Sequence, residues 1–309
     1  MKEIALKTEI AQYNSNLNNM VDRFVQYLDV SAISVRSYIS GIKIFLKYLS
    51  DNGINTPTRE TILQYKKDLS QTKSASTVAL YLSALRKFFA WCESEGLYAN
   101  ITSGVKSPKI SHEHKRDAFS AEEVKGIMQS IKRDSLEGLR NYAIFTLIAS
   151  CGLRTVEVVR ANVGDIHRVL GVLVLSVQGK GHAEKDAFVK LDTRVAKAIS
   201  AYLEARGNVS DDEPLFASCS RRNYGKRLTT VTIWTVCKKA MVSAGFNSHR
   251  LTAHSLRHTA VTVALMGGMS LQEVQAFARH SSMNTTLIYA HNVNRLKSLC
   301  EATIANSIF

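Results

Sequence analysis

The 309-residue chain contains no apolar run of about eighteen residues, so nothing in it reads as a membrane span. Its opening, Met1-Lys2-Glu3-Ile4, carries mixed charge and no apolar stretch, so no secretory signal is expected. Cysteine is scarce and scattered: Cys92, Cys151, Cys219, Cys237 and Cys300 are odd in number and include no C-x-x-C pair. That excludes a disulfide framework and a zinc ligand set, and leaves reduced, mostly buried thiols in a cytoplasmic protein. No P-loop exists, because Gly225-Lys226 has neither a glycine five residues before Gly225 nor a following Ser or Thr. Internal repeats and low-complexity tracts are absent too. Acidic residues are outnumbered: 40 Lys and Arg face 26 Asp and Glu, a formal charge of +14. Such an excess suits a polyanionic partner, nucleic acid first and an anionic membrane surface second. The remaining composition, 45% hydrophobic and 21% charged, is that of a globular chain long enough for two domains.

Helical spacing dominates the first hundred residues. Leu17, Met20, Val21, Phe24, Val25 and Leu28 follow one helical face, and residues 31–50 repeat the pattern up to the stop signal Asn52-Gly53. A third helix is expected from near Thr58 and a fourth over residues 74–95, ending before Gly96. The exposed faces would hold Arg36, Lys43, Lys47, Lys66, Lys67, Lys73, Arg86 and Lys87, a stripe suited to tracking phosphates. Residues 1–14 are expected to be frayed or loosely helical. Residues 100–116 have few large apolar side chains and the charged run 112–116, so we place a basic linker over 101–117.

The second domain, 118–309, opens on a capping box, Ser120 with Glu123. Residues 136–151 are apolar enough for a central helix, which Gly152 ends. Glu157, three residues after Arg154, is placed to orient its guanidinium. Val172, Val174, Val177, Phe188 and Val189 give residues 169–190 the look of two or three short antiparallel strands, with Lys180 in the connection between them. Further helices are expected over 193–206 and 229–245, with an irregular segment at 211–218 between them. Arg221, Arg222, Lys226 and Arg227 form a second basic cluster.

Thr252 then reads as an N-cap for a helix over 253–266, stopped by Gly267-Gly268. His254 and Arg257 fall in its first turn, where unpaired N–H groups and the helix dipole favour an anion. A guanidinium beside an imidazole there suits phosphate better than a small carboxylate. A short helix over 271–278 delivers His280, and a second short segment carries Tyr289. His254 and His258 form H-x-x-x-H, but a metalloprotease would have Glu where Ser255 stands, and no third ligand is evident.

Taken in order, Arg154, Lys180, His254-x-x-Arg257, His280 and Tyr289 resemble the tyrosine recombinases, the phage-integrase and Xer family. The likeness spans nearly the whole chain, since residues 1–100 look like that family's SAM-like core-binding domain. One departure stands out: Ala278-Arg279-His280 occupies the place of the family's usual Leu-Gly-His. The resemblance implies a mainly α fold with a small antiparallel sheet, an all-α DNA-binding domain plus a mixed α+β catalytic domain with a C-terminal exchange helix. It implies a site-specific recombinase that cuts and rejoins DNA through a 3′-phosphotyrosyl link. Tyr289 would be the nucleophile, Arg154 and Arg257 the charge clamps in place of a metal, and Lys180 the general acid. His254 would serve as base or phosphate donor and His280 as donor. Glu157 would support Arg154. Neither cofactor nor metal is implied. The partners implied are double-stranded DNA with inverted-repeat half-sites and, on two such sites, a homo-tetramer formed from monomers or weak dimers. An accessory DNA-bending or excision factor is a further candidate, and no membrane is. A type IB topoisomerase or a DNA-binding protein without catalysis are the alternatives. The tail, with Val293, Leu296, Leu299 and Ile304 on one face, predicts an amphipathic helix over 294–305.

Overall fold

Ser31, Ser74, Ser120, Ser135, Thr229 and Ser270 each stand one residue before a helix, and each side-chain oxygen accepts a hydrogen bond from the N–H three residues on. These caps satisfy donors that helix geometry leaves open, and they fix where the helices begin. A computed structural model describes residues 19–110, 118–179 and 184–309. The expected loose start over 1–14, Leu17, the charged run 112–116 and Lys180 all lie outside the described residues. Contacts divide the chain into two units at the junction of Ser111 and His112.

The first unit holds four helices among the described residues: α1 (residues 19–27), α2 (Ala32–Asp51), α3 (Arg59–Thr72) and α4 (Ala75–Ser94). Phe24, Ile42, Phe45, Ile62, Leu82 and Leu85 fill its core, with rings edge-on at Phe24–Phe88 (5.3 Å) and Phe45–Tyr65 (5.0 Å). Gly41 lets α2 lie close on α4, since a Cβ there would meet the Tyr81 ring at 3.1 Å and its Cα at 3.3 Å. Of the basic stripe, Arg36, Lys43, Lys47, Lys67, Lys73 and Lys87 are exposed. The other two are engaged within the unit. Lys66 Nζ donates to the Lys106 carbonyl at 2.8 Å, and Arg86 donates to the Val105 carbonyl at 2.7 Å and to Ser107 Oγ at 3.1 Å.

In the second unit, α5 (Ala121–Ser130) begins with the reciprocal Ser120–Glu123 capping box, and α6 (Leu136–Cys151) is the central core helix. Ile144, Phe145, Leu147 and Ile148 are fully buried within it. Then come α7 (Thr155–Arg160), strands β1 (Ile166–Val169), β2 (Val172–Val177) and β3 (Ala187–Lys190), and helices α8 (Thr193–Arg206) and α9 (Thr230–Ser243). The sheet is antiparallel in the order β1-β2-β3, with Ile166 opposite Leu175 and Val174 opposite Lys190. Leu170 and Gly171 turn the first hairpin with φ of 50° and 81°, the mirror-image turn that matches strand twist. A smaller apolar cluster lies apart, built from α10 (Ala253–Met266), α11 (Leu271–Ala278) and α12 (Met283–Lys297). It contains Val261, Leu265, Val274, Ala278, Tyr289 and Val293.

Three expectations change. Residues 155–160 form a helix too short for hydrophobic period to register. The sheet starts at Ile166, three residues before the expected stretch, because β1 is mostly exposed and lacks an apolar signal. Finally, the tail is two helices, with α12 carrying Tyr289 mid-helix and α13 (Cys300–Ile308) following. Ser298 leaves the helix at ψ 132°, and its Oγ accepts from the Cys300 N–H at 3.3 Å, a local bond that competes with helix continuation. Val293 thus belongs to the domain, whereas Leu299, Ile304, Ile308 and Phe309 are exposed.

Candidate active site

The residues between α6 and α7 build one side of the site. Gly152 takes the left-handed conformation at φ 58°, so α6 ends there and the chain turns back at once. Arg154 becomes the N-cap of α7. Its backbone N–H donates to Glu157 Oε2 at 2.8 Å, and its own Nη1 donates to Oε1 at 2.8 Å. One carboxylate therefore fixes both the main chain and the side chain of Arg154. Glu157 is fully buried. Burial works to raise its pKa, yet the charge and hydrogen bonds of Arg279 and Arg154 hold the carboxyl below its usual range.

Helix α10 supplies the opposite side. Arg257 is 1% exposed, donating Nη1 to the Gly152 carbonyl at 2.5 Å and Nη2 to the Ala278 carbonyl. Arg154 Nη2 donates to the Arg279 carbonyl at 3.0 Å. Both guanidiniums are thus held by carbonyls at the C-terminal ends of α6 and α11, where the helix leaves acceptors unpaired and partial negative charge collects. Two arginines fixed so near each other repel. Burial, then Arg154 and Arg279, push Arg257 down to about 9. An anion bound between the guanidiniums relieves that repulsion.

Rings complete the arrangement. His254 and His258 lie edge to face at 4.5 Å, His258 is tilted over Tyr289 at 5.0 Å, and His280 stacks on Tyr289 at 6.0 Å. His254 is exposed, while His280 is 8% and Tyr289 5% exposed. His280 shares a 3.0 Å hydrogen bond between its Nδ1 and Thr286 Oγ1, and its own carbonyl accepts from Gln275 Nε2 at 3.1 Å. Burial, with Arg257, Arg154, Arg279 and His254 nearby, pushes His280 down to about 4, so the ring is neutral at pH 7. Burial also pushes Tyr289 up to about 12, against the opposing pull of Arg257 and Arg154. The phenol is therefore protonated at pH 7, and the positive groups around it do not by themselves ionise it.

Five of the six expected site residues come together in this way; Lys180 lies outside the described residues. The flanks of its segment are anchored, Gly179 by its carbonyl to Arg160 Nη1 at 2.9 Å and Lys185 by Nζ to Asp165 Oδ2 at 2.6 Å. Sequence reasoning weighed His258 only as a metal ligand and missed Thr286. The signals were there: His258 is four residues from His254 on one helix, and Thr286 three residues before Tyr289. Among the described residues no three His, Cys, Asp or Glu gather as a metal cluster.

Comparison with known proteins adds a second line. The model of the phage integrase family matches residues 118–295, and that of the phage integrase N-terminal SAM-like domain matches residues 21–96. The chain is 31% identical to tyrosine recombinase XerD of Lacticaseibacillus casei over 288 residues, covering 90% of this chain and 96% of that one. It is 29% identical to tyrosine recombinase XerC of Corynebacterium glutamicum, covering 93% and 91%. In fold it is similar to a XerH site-specific recombinase bound to a palindromic difH substrate in a post-cleavage complex, with TM-score 0.71, 21% identity and coverage of 89% and 80%. It is also similar to a lambda integrase dimer bound to a COC′ core site, with TM-score 0.68, 20% identity and coverage of 87% and 96%.

Proposed function

The chain belongs to the phage integrase family and is a site-specific tyrosine recombinase, and from that premise we propose how its own residues divide the work. Tyr289 Oη attacks the scissile phosphorus of DNA in line, forming the P–O(Tyr) bond while the bond to the 5′-oxygen breaks. The phenolic proton passes to His254, and Lys180 delivers a proton to the departing 5′-oxygen. A 5′-hydroxyl from another strand later attacks the phosphotyrosine and reverses each transfer. No hydrolysis occurs, so the bond energy is conserved.

Charge is the main demand, because the non-bridging oxygens gain negative charge in the transition state. Arg154 and Arg257 meet it with two fixed forks, and neutral His280 adds a hydrogen bond from Nε2 once Nδ1 is occupied by Thr286. Glu157 acts through Arg154. The observation that carries this reading is a buried Tyr289 under the charge of two guanidiniums already anchored through carbonyls, an arrangement for which phosphate is the fitting counter-charge. Pure DNA binding needs no such nucleophile.

The substrate is double-stranded DNA with inverted half-sites, and four protomers assemble on two sites from monomers or weak dimers. The exposed α13 docks on a neighbouring protomer there and couples Tyr289 to assembly. The XerD and XerC likenesses support a Xer-like reaction, with integration or excision of a mobile element as the second outcome, in the cytoplasm.

Tyr289→Phe tests the assignment. A duplex selected from a randomised pool by the full-length wild-type chain supplies the probe. Wild type should give an SDS-stable protein–DNA adduct on it, and the variant none, with band-shift affinity within about twofold because phosphate contacts elsewhere supply binding. An adduct persisting in the Phe variant refutes Tyr289 as nucleophile.

A further inference from the structure

Arg279 breaks two rules at once. It holds φ 53° and ψ 48°, a left-handed conformation that glycine adopts freely and arginine does not. Glycine is also what the family resemblance leads one to expect there. Such a conformation persists only where the surroundings fix it: the Arg279 N–H bonds back to the end of α11, and the side chain is 11% exposed.

Every nitrogen of that guanidinium is engaged inside the protein. Nη1 donates to the Phe277 carbonyl at 2.7 Å, and Nη2 to the Gly152 carbonyl at 3.2 Å and Glu157 Oε2 at 2.9 Å. Nε donates to Glu157 Oε1 at 3.4 Å. Arg154 differs: its two described side-chain bonds occupy one hydrogen on each terminal nitrogen, and the side chain is 27% exposed. Arg154 therefore keeps donors and an open edge for a ligand. Arg279 is turned inward, with four bonds for its five hydrogens.

We propose that Arg279 is a positioning residue for strand cleavage: by taking its share of the Glu157 carboxylate, it keeps Arg154 from closing onto that carboxylate and leaves its outer edge and charge for the scissile phosphate. The Arg279 backbone and side chain do separate jobs. Its carbonyl accepts from Arg154 Nη2, which any residue in this conformation provides. Its guanidinium balances Glu157, which only this residue type provides. With Arg279 present, three guanidiniums face one carboxylate, a net charge of +2 from Arg154, Arg257, Arg279 and Glu157. Glycine at 279 leaves +1, and a buried carboxylate with a single cationic partner draws that partner onto both its oxygens. The Arg154 fork then swings inward by the length of one hydrogen bond, and misplacement on that scale slows chemistry without removing binding.

This inference rests on the assignment of Arg154 to the phosphate, and the experiment separates the two. The measurement is the single-turnover rate of adduct formation by the full-length chain on the selected duplex, set beside band-shift affinity on the same duplex. Arg279→Gly removes the side chain and keeps the turn and its carbonyl. It should slow adduct formation by about 10- to 100-fold with affinity within about twofold. In a Glu157→Gln background the same substitution should change the rate by less than about twofold, because the group through which Arg279 acts has gone. A further large loss there would overturn the proposal and mark Arg279 as a direct phosphate contact. Parallel loss of affinity and rate would reduce it to a folding role and overturn the proposal as well. Arg279→Lys, which retains charge opposite Glu157, guards against a Gly variant that does not fold; it should fall between wild type and Gly, and a rate equal to wild type refutes the need for the fork. If Arg154→Ala still forms adduct at the wild-type rate, the phosphate assignment itself fails, whatever Arg279 does.

Discussion

Acidification should weaken the second unit through His280 by about 2 kcal/mol between pH 8 and pH 5. The ring is 8% exposed, and burial with four neighbouring cationic or titratable groups, Arg257, Arg154, Arg279 and His254, pushes it from 6.5 to about 4. The unfolded chain therefore takes up a proton near pH 6.5 that the folded chain refuses until about pH 4. Stability from this group is complete above pH 6.5 and is lost as pH falls toward 4, not as it rises. Those two pKa values give a loss of about 2 kcal/mol at pH 5 and about 0.2 at pH 7. Other groups titrate in the same window, so the useful quantity is the difference between wild type and His280→Asn. Asparagine retains an acceptor where Nδ1 meets Thr286 and cannot take up a proton. Urea unfolding of the second unit, followed by exchange protection of the α6 amides, measures the gap at each pH. It should shift by about 2 kcal/mol in favour of the variant on going from pH 8 to pH 5. A gap constant to about 0.5 kcal/mol would mean that His280 is not held neutral by its surroundings, and the account of its environment would fail with it.

Arg154→Lys should cut adduct formation by about 100-fold or more, since an ammonium cannot reach Glu157, the Arg279 carbonyl and phosphate together; the same assay in excess EDTA should leave wild type unaffected. Deleting residues 299–309 should leave the thermal midpoint of the free protein unchanged, because Leu299, Ile304, Ile308 and Phe309 are exposed. The same truncation should abolish cooperative filling of a second half-site in a band-shift titration, and retained cooperativity would place the tail's role elsewhere. Gly152→Ala puts a Cβ 3.1 Å from the Phe277 ring at a φ of 58°, and should cost about 1–2 kcal/mol in urea unfolding. It should also lower the rate of adduct formation, as the Gly152 carbonyl receives both Arg257 and Arg279.

Much of this site could be read from residue order because its parts depend on local chemistry. Thr252 reads as a cap, so the start of α10 followed directly, and the amphipathic spacing of residues 271–278 marked α11. The pairing of Glu157 with Arg154 followed from a three-residue spacing that a helix start turns into a capping bond. What stayed hidden depends on tertiary packing. The sequence marks Arg257 for an anion but not for burial, which comes with acceptor carbonyls 105 and 21 residues away. His258 shares a helix face with His254, but that it lies over Tyr289 follows only from the packing of α10 on α12. The tail misled because Val293 and Leu299 share a periodicity that Ser298 interrupts with its own hydroxyl.

The acceptors that hold Arg154 and Arg257 include the peptide oxygens of residues 152, 278 and 279. A peptide oxygen cannot be mutated away, so a substitution at these positions reaches the clamp only through the course of the two helix ends or through the new side chain itself. Lineages can therefore exchange residues around this clamp without first losing it. At 279 the main chain does the holding through its carbonyl, which leaves the arginine side chain available for a separate task.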